Sequence, residues 1–236
     1  MGLVDIHTHI LYGVDDGAKT ISDSMGLLDE EREQGVDTVL LTPHYGPKFG
    51  HPKADVLKKH FEEIRQKAEQ YYPELQLYLG SELYYQESTI SDLESGKALT
   101  MNDTQYVLVE FGVKDSYSHI YRAVQNFAYA GFIPIIAHAE RYEAVFGHVD
   151  RIEELISLGA YIQINAESLI GGIFDKRSSF CKKIVKEGLV HFLGSDCHDF
   201  RNRRPNMKKA AEVVLKKKAE QILYINPRNM LEGKSI

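Results

Sequence analysis

Short apolar runs alternate along the chain with longer segments whose apolar residues recur every three or four positions. The short runs are rich in β-branched residues and almost without polar interruption, as strands covered on both faces are. Seven strands are predicted in this way, at residues 3–6, 38–41, 75–79, 106–109, 133–137, 161–164 and 190–193. A further, late strand is predicted at residues 222–225.

Five helices are predicted between these strands. In the clearest, Leu57, Phe61 and Ile64 form one apolar stripe, and charged residues occupy the opposite face. The first helix is predicted to begin at Ser22 or Asp23. Four of the helices end at glycines, which readily adopt the left-handed conformation that stops a helix: Gly35, Gly131, Gly159 and Gly188.

Strands that alternate with helices predict an α/β fold with a parallel sheet. Right-handed crossovers place the carboxyl ends of all its strands on one face, where the chemistry of such folds is found. A chain of 236 residues fits one such unit. The prediction is a single domain over residues 1–236, folded as a distorted TIM-like (β/α)7 barrel.

Composition narrows the classes of function. Lysine and arginine number 28 against 34 acidic residues, a net charge of −6, which disfavours a general role in nucleic-acid binding. The longest weakly polar stretch, 127–137, is too short to cross a bilayer and contains Gly131 and Pro134. Cys181 and Cys197 make no disulfide framework, and the amino-terminal residues do not resemble a signal peptide. A cytoplasmic protein without membrane insertion is expected.

Metal-binding residue types follow the predicted strands at their carboxyl ends. Eight such residues share this position: His7, His9, His44, Glu82, Glu110, His138, Asp196 and His198. Any one of them could be a buried or capping residue, but their coincidence at the strand ends predicts a metal site. Imidazole and carboxylate together suit Mn, Fe or Zn, and a bridging carboxylate allows more than one ion. The five histidines elsewhere are interpreted as structural: His51, His60, His119, His148 and His191.

The order of these motifs resembles the polymerase and histidinol phosphatase (PHP) superfamily. The motifs are His-x-His at 7–9, Asp-Asp-Gly at 15–17, Pro-His at 43–44, Gly-Ser-Glu at 80–82, Val-Glu-Phe at 109–111, Ala-His-Ala-Glu-Arg-Tyr at 137–142 and Ser-Asp-x-His at 195–198. More narrowly, the chain resembles the metal-dependent protein-tyrosine phosphatases of bacterial capsule and exopolysaccharide operons, the CpsB or YwqE type. Glu110 matches this branch, whereas histidinol phosphatases tend to carry a histidine there.

The resemblance implies two or three manganese ions in one cluster, with Fe, Zn or Mg as alternatives. His7, His9, Glu82 and Asp196 would hold the first ion. Glu82 would bridge to a second ion held by Glu110 and His138, and Asp16, His44 and His198 would hold a third. Asp16 lies in a turn-like loop, where its carboxylate could instead serve the turn.

The implied reaction is hydrolysis of phosphotyrosine by a metal-bridging hydroxide. Arg141 is expected to hold phosphate oxygens, the alternative being a surface ion pair. Three later arginines, Arg201, Arg203 and Arg204, could supply a second clamp for phosphate. At most one or two of them should point inward, and we assign this role to Arg203. Asp199 could orient a ligand imidazole or protonate the leaving group. Five tyrosines near the strand ends could form an aromatic wall for the substrate: Tyr12, Tyr45, Tyr84, Tyr85 and Tyr142.

Cys197 and Arg203 also satisfy Cys-x5-Arg, the spacing of cysteine-dependent tyrosine phosphatases. The intervening residues contain no glycine, although such phosphate loops need a backbone that glycine favours. We therefore reject a cysteine mechanism. Lys208, Lys209 and the lysines at 216–218 are interpreted as one solvated helix face.

The resemblance implies that the partner is a phosphotyrosine protein, a bacterial tyrosine kinase that controls polysaccharide export. The alternatives are hydrolysis of histidinol phosphate, a polymerase-associated exonuclease, which the acidic balance disfavours, and a non-catalytic metal-binding module that regulates a kinase.

Overall fold

The computed structural model describes residues 2–172, 174–214 and 216–236. The strands are β1 (Leu3–Thr8), β2 (Val36–Leu41), β3 (His44–Tyr45), β4 (Gln76–Leu79), β5 (Glu82–Tyr84), β6 (Tyr106–Glu110), β7 (Ile133–Ile136), β8 (Tyr161–Asn165) and β9 (Phe192–Gly194). The helices are α1 (Ile21–Glu33), α2 (Ala54–Tyr71), α3 (Thr89–Glu94), α4 (Tyr117–Tyr129), α5 (Val149–Ser157), α6 (Lys176–Glu187), α7 (Met207–Val213), α8 (Lys216–Glu220) and α9 (Asn226–Leu231). Short 3₁₀ turns include Pro47–Phe49 and Ala139–Arg141.

All paired strands run parallel, in the orders β1-β2-β4 and β3-β5-β6-β7-β8-β9. The two ladders are consecutive parts of one curled sheet, because β3 continues β2 and β5 continues β4. The ladder is irregular at Pro43, which has no N–H to donate, but its carbonyl still accepts from Glu82 N at 3.1 Å. The predicted distorted TIM-like barrel is confirmed, and the predicted strands at 38–41 and 75–79 are each followed by a short second strand, β3 and β5.

The first and last strands meet at their carboxyl ends. Asp196 N donates to His7 O at 2.8 Å, and His9 N donates to Cys197 O at 2.9 Å. Thr8 and Cys197 form a parallel bridge between these hydrogen bonds. This contact brings together two pairs of candidate ligands, His7 and His9 at the end of β1 and Asp196 and His198 after β9.

Alternation along the strands divides the core into two clusters. Tyr106 and Leu108 of β6 belong to a small cluster enclosed by the strands, to which Met230 and Leu231 are added from α9. Val107 and Val109 belong to the larger cluster between the sheet and the helices. Because Glu110 follows Leu108 by two, its side chain lies on the enclosed face, at the end where the strands finish.

The helix boundaries largely follow the predicted signals. Gly188 ends α6 in the left-handed conformation, as expected. The amino-terminal cap of α1 is Thr20, not Ser22 or Asp23. Thr20 Oγ1 accepts from Asp23 N, while the Asp23 carboxylate accepts from Thr20 N at 2.8 Å. This reciprocal capping box places Asp23 in the first turn of the helix.

The predicted late strand at 222–225 is wrong. Residues Gln221–Ile225 form a π-helical turn between α8 and α9. Ile222 and Leu223 are both buried, whereas Ile225 is exposed, so the alternation that a half-buried strand requires is absent. The turn packs against β1 and β9. Lys208 and Lys209 lie exposed on α7, as predicted, but the prediction of a single helix face is wrong, because Lys218 lies on a separate helix, α8, and its Nζ donates to Val185 O at 3.0 Å. Leu215 lies outside the described residues.

Among the residues described here, none of the helices has the length and apolar character needed to span a bilayer.

Close packing at the junction of the end strands gives a first prediction. A Cβ atom at Gly194 would lie 2.5 Å from His7 Cβ, so Gly194→Ala should displace the His7 side chain or the strand. Overpacking of this kind costs about 1–3 kcal/mol. We expect a lower urea midpoint of unfolding than in the wild type. Gly172→Ala is the matched control, because a Cβ atom there meets nothing within 4 Å, and equal midpoints for the two variants would contradict the proposed packing.

Candidate metal centre

All nine predicted metal ligands come together at the carboxyl end of the barrel. They are contributed by β1 and its following loop, β3, β5, β6 and the segments after β7 and β9: His7, His9, Asp16, His44, Glu82, Glu110, His138, Asp196 and His198. Most of these side chains are buried; Asp16 is 42% exposed and Glu110 23%. The prediction that these residues share one site therefore agrees with the geometry.

Glu82 lies at the centre of the cluster. Its Oε1 is 3.2 Å from His7 Nε2 and its Oε2 is 3.3 Å from His9 Nε2. Asp196 Oδ1 completes this group at 3.6 Å and 3.4 Å from the same two nitrogens. These are the four residues that the resemblance assigned to the first ion.

Two further groups flank Glu82. His138 Nε2 is 2.8 Å from Glu82 Oε1 and 3.7 Å from Glu110 Oε1; these are the residues that the resemblance assigned to the second ion. Asp16 Oδ1 is 3.4 Å from His198 Nε2 and 3.5 Å from His44 Nε2, as expected for the third.

The three groups of candidate ligands also overlap, because some residues can belong to more than one group. His44 can share an ion with Glu82 and Glu110, and His9 lies within reach of the group around Asp16. Asp16 therefore lies among candidate ligands, as predicted, although its carboxylate is the most exposed of the set.

Three of the imidazoles, those of His7, His9 and His198, are held with Nε2 toward the centre. Nδ1 of His7 is 3.2 Å from Gln163 Oε1, Nδ1 of His9 is 2.8 Å from Asp15 Oδ2, and Nδ1 of His198 is 2.9 Å from the Asp196 carbonyl oxygen. With the proton on Nδ1, each ring donates to its acceptor and keeps a lone pair on Nε2 for a cation. Metal-ligating histidines are oriented in this way by a second partner.

The electrostatics also fit a cation. Glu82 Oε2 is fully buried and accepts no hydrogen bond from the residues described, although imidazole nitrogens surround it. Although burial disfavours a charged imidazole, Glu82 and Asp196 hold the pKa of His7 above its usual value. Burial and the Glu82 charge raise the pKa of Glu110 to about 7. Buried carboxylates at this density need a compensating positive charge, so the residues present fit a metal cluster.

Two candidate ligands have backbone angles that non-glycine residues seldom adopt. His138 has φ 33° and Asp196 has φ 55°. Each is held by a neighbour: His138 N donates to Gln163 Oε1 at 2.7 Å and Asp196 N to His7 O at 2.8 Å. Such strain is stored at functional sites when the surrounding structure fixes it.

Sequence reasoning missed the residues that hold the ligands. Asp15, the first residue of the Asp-Asp-Gly motif, accepts from the ring of His9 and from His44 N at 3.0 Å. Gln163 contacts both His7 and His138, and Asn165 donates to Asp196 Oδ2 at 2.8 Å. The available signal was two polar residues at same-face spacing in β8, an otherwise apolar strand.

A buried acidic pair lies behind the ligands. Asp5 accepts from His7 N at 3.1 Å and from Ser195 N at 3.0 Å. Glu31 of α1 accepts from Ser195 Oγ at 3.3 Å and from Cys197 Sγ at 3.5 Å. Burial, together with the neighbouring Asp5, raises the pKa of Glu31 well above its usual value. This pair ties α1 to both ligand-bearing segments.

The two arginines assigned to phosphate point inward. Arg141 Nη2 is 3.0 Å from Asp196 Oδ2, so Arg141 is not an isolated surface residue. Arg203 Nη2 is 2.5 Å from Asp196 Oδ1, and its Nη1 donates to His198 Nε2 at 2.7 Å. Arg204 instead pairs with Glu30 at 3.1 Å. One of the three late arginines therefore contacts candidate ligands, within the number expected.

Asp199 has a structural task in this arrangement. Its Oδ1 accepts from Arg201 N at 2.6 Å and from Asn202 N at 2.7 Å. Burial alone would raise the pKa of Asp199, but these backbone hydrogen bonds outweigh that effect and lower the pKa. A carboxylate so stabilised is a weak proton donor at neutral pH, and its turn instead sets the position of Arg203.

A cavity of about 450 Å³ opens above the cluster. It is lined by Asp16, His44, Tyr45, Gly46, Pro47, Lys48, Phe49, Tyr84, Glu110, Arg141 and Arg203. Of the five tyrosines considered for an aromatic wall, Tyr45 and Tyr84 line it. Tyr142 is fully buried and donates to Ala137 O at 2.9 Å, and Tyr12 and Tyr85 pack elsewhere.

Fold and site together define a parallel α/β barrel with a candidate multi-metal centre at the carboxyl ends of its strands. The family model for capsular polysaccharide synthesis, CpsB/CapC, matches residues 3–232. The chain belongs to this family. The predicted resemblance to the CpsB and YwqE type is confirmed.

Similar proteins agree with the family. The tyrosine-protein phosphatase CpsB of Streptococcus pneumoniae is 34% identical over 238 residues, covering 97% of this chain and 98% of that protein. CpsB of Streptococcus agalactiae serotype V is 33% identical over 240 residues, covering 98% and 99%. A crystal structure from a study of YwqE from Bacillus subtilis and CpsB from Streptococcus pneumoniae, described as unique metal-dependent tyrosine phosphatases, matches with a TM-score of 0.91 and 26% identity over 99% of this chain and 96% of that chain.

The contact between Asp15 and His9 gives a prediction about metal affinity. Asp15→Ala should weaken manganese binding by about 10- to 100-fold, because the His9 ring loses the partner that fixes its orientation. Isothermal titration with manganese would measure this. Asp150→Ala is the matched control, since its side chain is 81% exposed on α5. Unchanged affinity in Asp15→Ala would show that Asp15 serves only its turn.

Proposed function

We propose that this protein is a manganese-dependent protein-tyrosine phosphatase that acts on phosphotyrosine of a bacterial tyrosine kinase regulating capsular or exopolysaccharide synthesis. The observation that carries the proposal is one cavity that opens beside the cluster of nine candidate ligands and is lined by three of them, Asp16, His44 and Glu110, together with the inward arginines Arg141 and Arg203. Its relatives in the family are tyrosine-protein phosphatases.

Cationic side chains of the chain would bind the phosphate group of the substrate. Arg141 and Arg203 reach the cavity from the segments that follow the carboxyl ends of β7 and β9, and can donate to phosphate oxygens in place of Asp196. Lys48 stands at the rim, 3.6 Å from Asp16 Oδ2, and adds positive charge there. Three cationic side chains thus face the space above an otherwise acidic cluster.

The nine ligands would hold the ions in the groups described above. When bound, divalent ions supply an activated water and neutralise charge on the phosphoryl oxygens. The phenol side chain of tyrosine has a pKa of about 10, well below the pKa of an alcohol. The phenolate leaving group therefore needs little protonation. This is consistent with the engagement of Asp199 by backbone N–H groups, and we assign Asp199 to positioning Arg203.

We further infer that residues 1–236 act as one unit in the cytoplasm. The larger core cluster extends from Leu3 to Leu223 and includes residues from nearly every strand and helix described. Cys181 and Cys197 are both free and buried, which suits a reducing compartment.

The proposed reaction predicts a defined substrate preference. With manganese, the protein should release phosphate from a phosphotyrosine peptide faster than from histidinol phosphate, and a chelator should abolish both activities. Phosphate release measured in parallel on the two substrates tests this. A preference for histidinol phosphate would move the protein to the other branch of the superfamily, and no turnover of either would favour a non-catalytic regulatory module.

Burial of Cys197 predicts how the reaction responds to substitution. Its side chain is fully buried, and burial raises the pKa of the thiol well above its usual value, so it is not a thiolate at neutral pH. Cys197→Ser should keep most activity, whereas His138→Ala should lose about 100-fold or more in kcat/KM through lost metal. Manganese-dependent rates and bound metal would be measured for both variants. The reverse order of activities would refute the metal mechanism.

A further inference from the structure

One side of the cavity is aromatic, and its geometry is fixed by the turn Pro47–Phe49. The Phe49 ring stacks on the His44 imidazole with 4.3 Å between centroids and 3° between planes. The turn is closed by hydrogen bonds from Phe49 N at 3.1 Å and His51 N at 3.3 Å to Gly46 O. Phe49 is therefore held directly beside a candidate metal ligand.

Tyr84 packs against the same turn. A Cβ atom at Gly46 would lie 2.7 Å from Tyr84 Cβ, so the backbone of the turn rests on the tyrosine side chain. Tyr84 belongs to β5, opposite Glu110 of β6 in the ladder, and remains 37% exposed where it lines the cavity. Two aromatic side chains thus face the space next to the ligands while still open to solvent.

The ring of Phe49 is partly exposed. His44 stacks on one face of the ring, and Lys48 Nζ lies over the ring at 4.6 Å from the centroid; neither contact covers the edge of the ring. The edge of an aromatic ring carries partial positive charge and prefers the face of a second ring. Phe49 is therefore prepared for an edge-to-face contact with an aromatic group that enters the cavity.

We propose that Phe49 and Tyr84 are specificity residues that contact the phenyl ring of an aryl phosphate and so select phosphotyrosine over alkyl phosphates. The inference rests on the proposed function. In phosphotyrosine a flat ring lies between the phosphate ester oxygen and the peptide, so a phosphate near the ligands places that ring beside Phe49 and Tyr84. Phosphoserine has one methylene group there and cannot fill the same space.

Two phosphonates that differ only in the ring provide the test. Phenylphosphonate and methylphosphonate would be titrated into the manganese-loaded protein by calorimetry. We expect the wild type to bind phenylphosphonate more tightly. Phe49→Leu and Tyr84→Leu should each reduce this preference by about two- to tenfold, because leucine keeps apolar volume but not the aromatic geometry. Affinity for methylphosphonate should stay unchanged.

Tyr129→Leu is the matched control, since Tyr129 is 87% exposed on α4 and does not line the cavity. Bound metal would be measured in every variant because Phe49 stacks on His44. With a phosphotyrosine peptide, KM should rise in Phe49→Leu and Tyr84→Leu while kcat changes little.

An unchanged phenyl preference in both variants would overturn the proposal, and so would an equal loss of methylphosphonate binding, which would place both residues in support of the metal centre. Loss of the phenyl preference in the variants, with no phosphotyrosine turnover by the wild type, would support the ring contact and refute the proposed function. The two failures are therefore distinguishable.

Discussion

The meeting of the first and last strands is the contact on which the site depends. Backbone hydrogen bonds join His7 O to Asp196 N and Cys197 O to His9 N, so four candidate ligands are fixed by one short piece of ladder. The carboxylate of Asp5 accepts from backbone N–H groups of both segments, at His7 and Ser195, and secures the junction from behind. A parallel barrel that failed to close here would still bury most of its apolar core, but its two pairs of ligands would separate.

Concentrated negative charge is the cost of this arrangement. Glu82, Glu110 and Asp196 lie close together and share histidine neighbours. Burial removes the water that would screen the negative charges of these carboxylates. The chain offsets part of this charge with Arg141 and Arg203, both of which contact Asp196. The same guanidinium groups face the cavity, so a bound phosphate and the acidic cluster would compete for them. Residues that stabilise the site without a ligand are thus the ones best placed to bind an anion.

The fold and the positions of the candidate ligands could be predicted from the sequence because both depend on local patterns. Most of the longer strands are apolar runs, and candidate ligands such as Glu110 and His138 lie at the ends of their strands or just after them. The helical turn at Gln221–Ile225 could not be distinguished from a strand by its sequence, because an apolar run of four residues fits either structure. Packing against β1 and β9 determines which of the two forms. The roles of Asp15, Gln163 and Asn165 were missed for a similar reason: each depends on a partner in another strand or loop, which local spacing does not reveal.

On the aromatic side of the cavity, a contact that supports a candidate metal ligand can also contribute to binding of the substrate ring. Phe49 stacks on His44 and so restricts the orientation of a candidate ligand, a task that any flat apolar ring could perform. Because the turn at Gly46 also presses against Tyr84, the two rings are held together at the mouth of the site, each partly exposed. Partly exposed aromatic surface next to buried charge favours a ligand that is itself anionic at one end and aromatic at the other. Support of the metal ligand and recognition of the substrate ring can therefore be met by the same short turn.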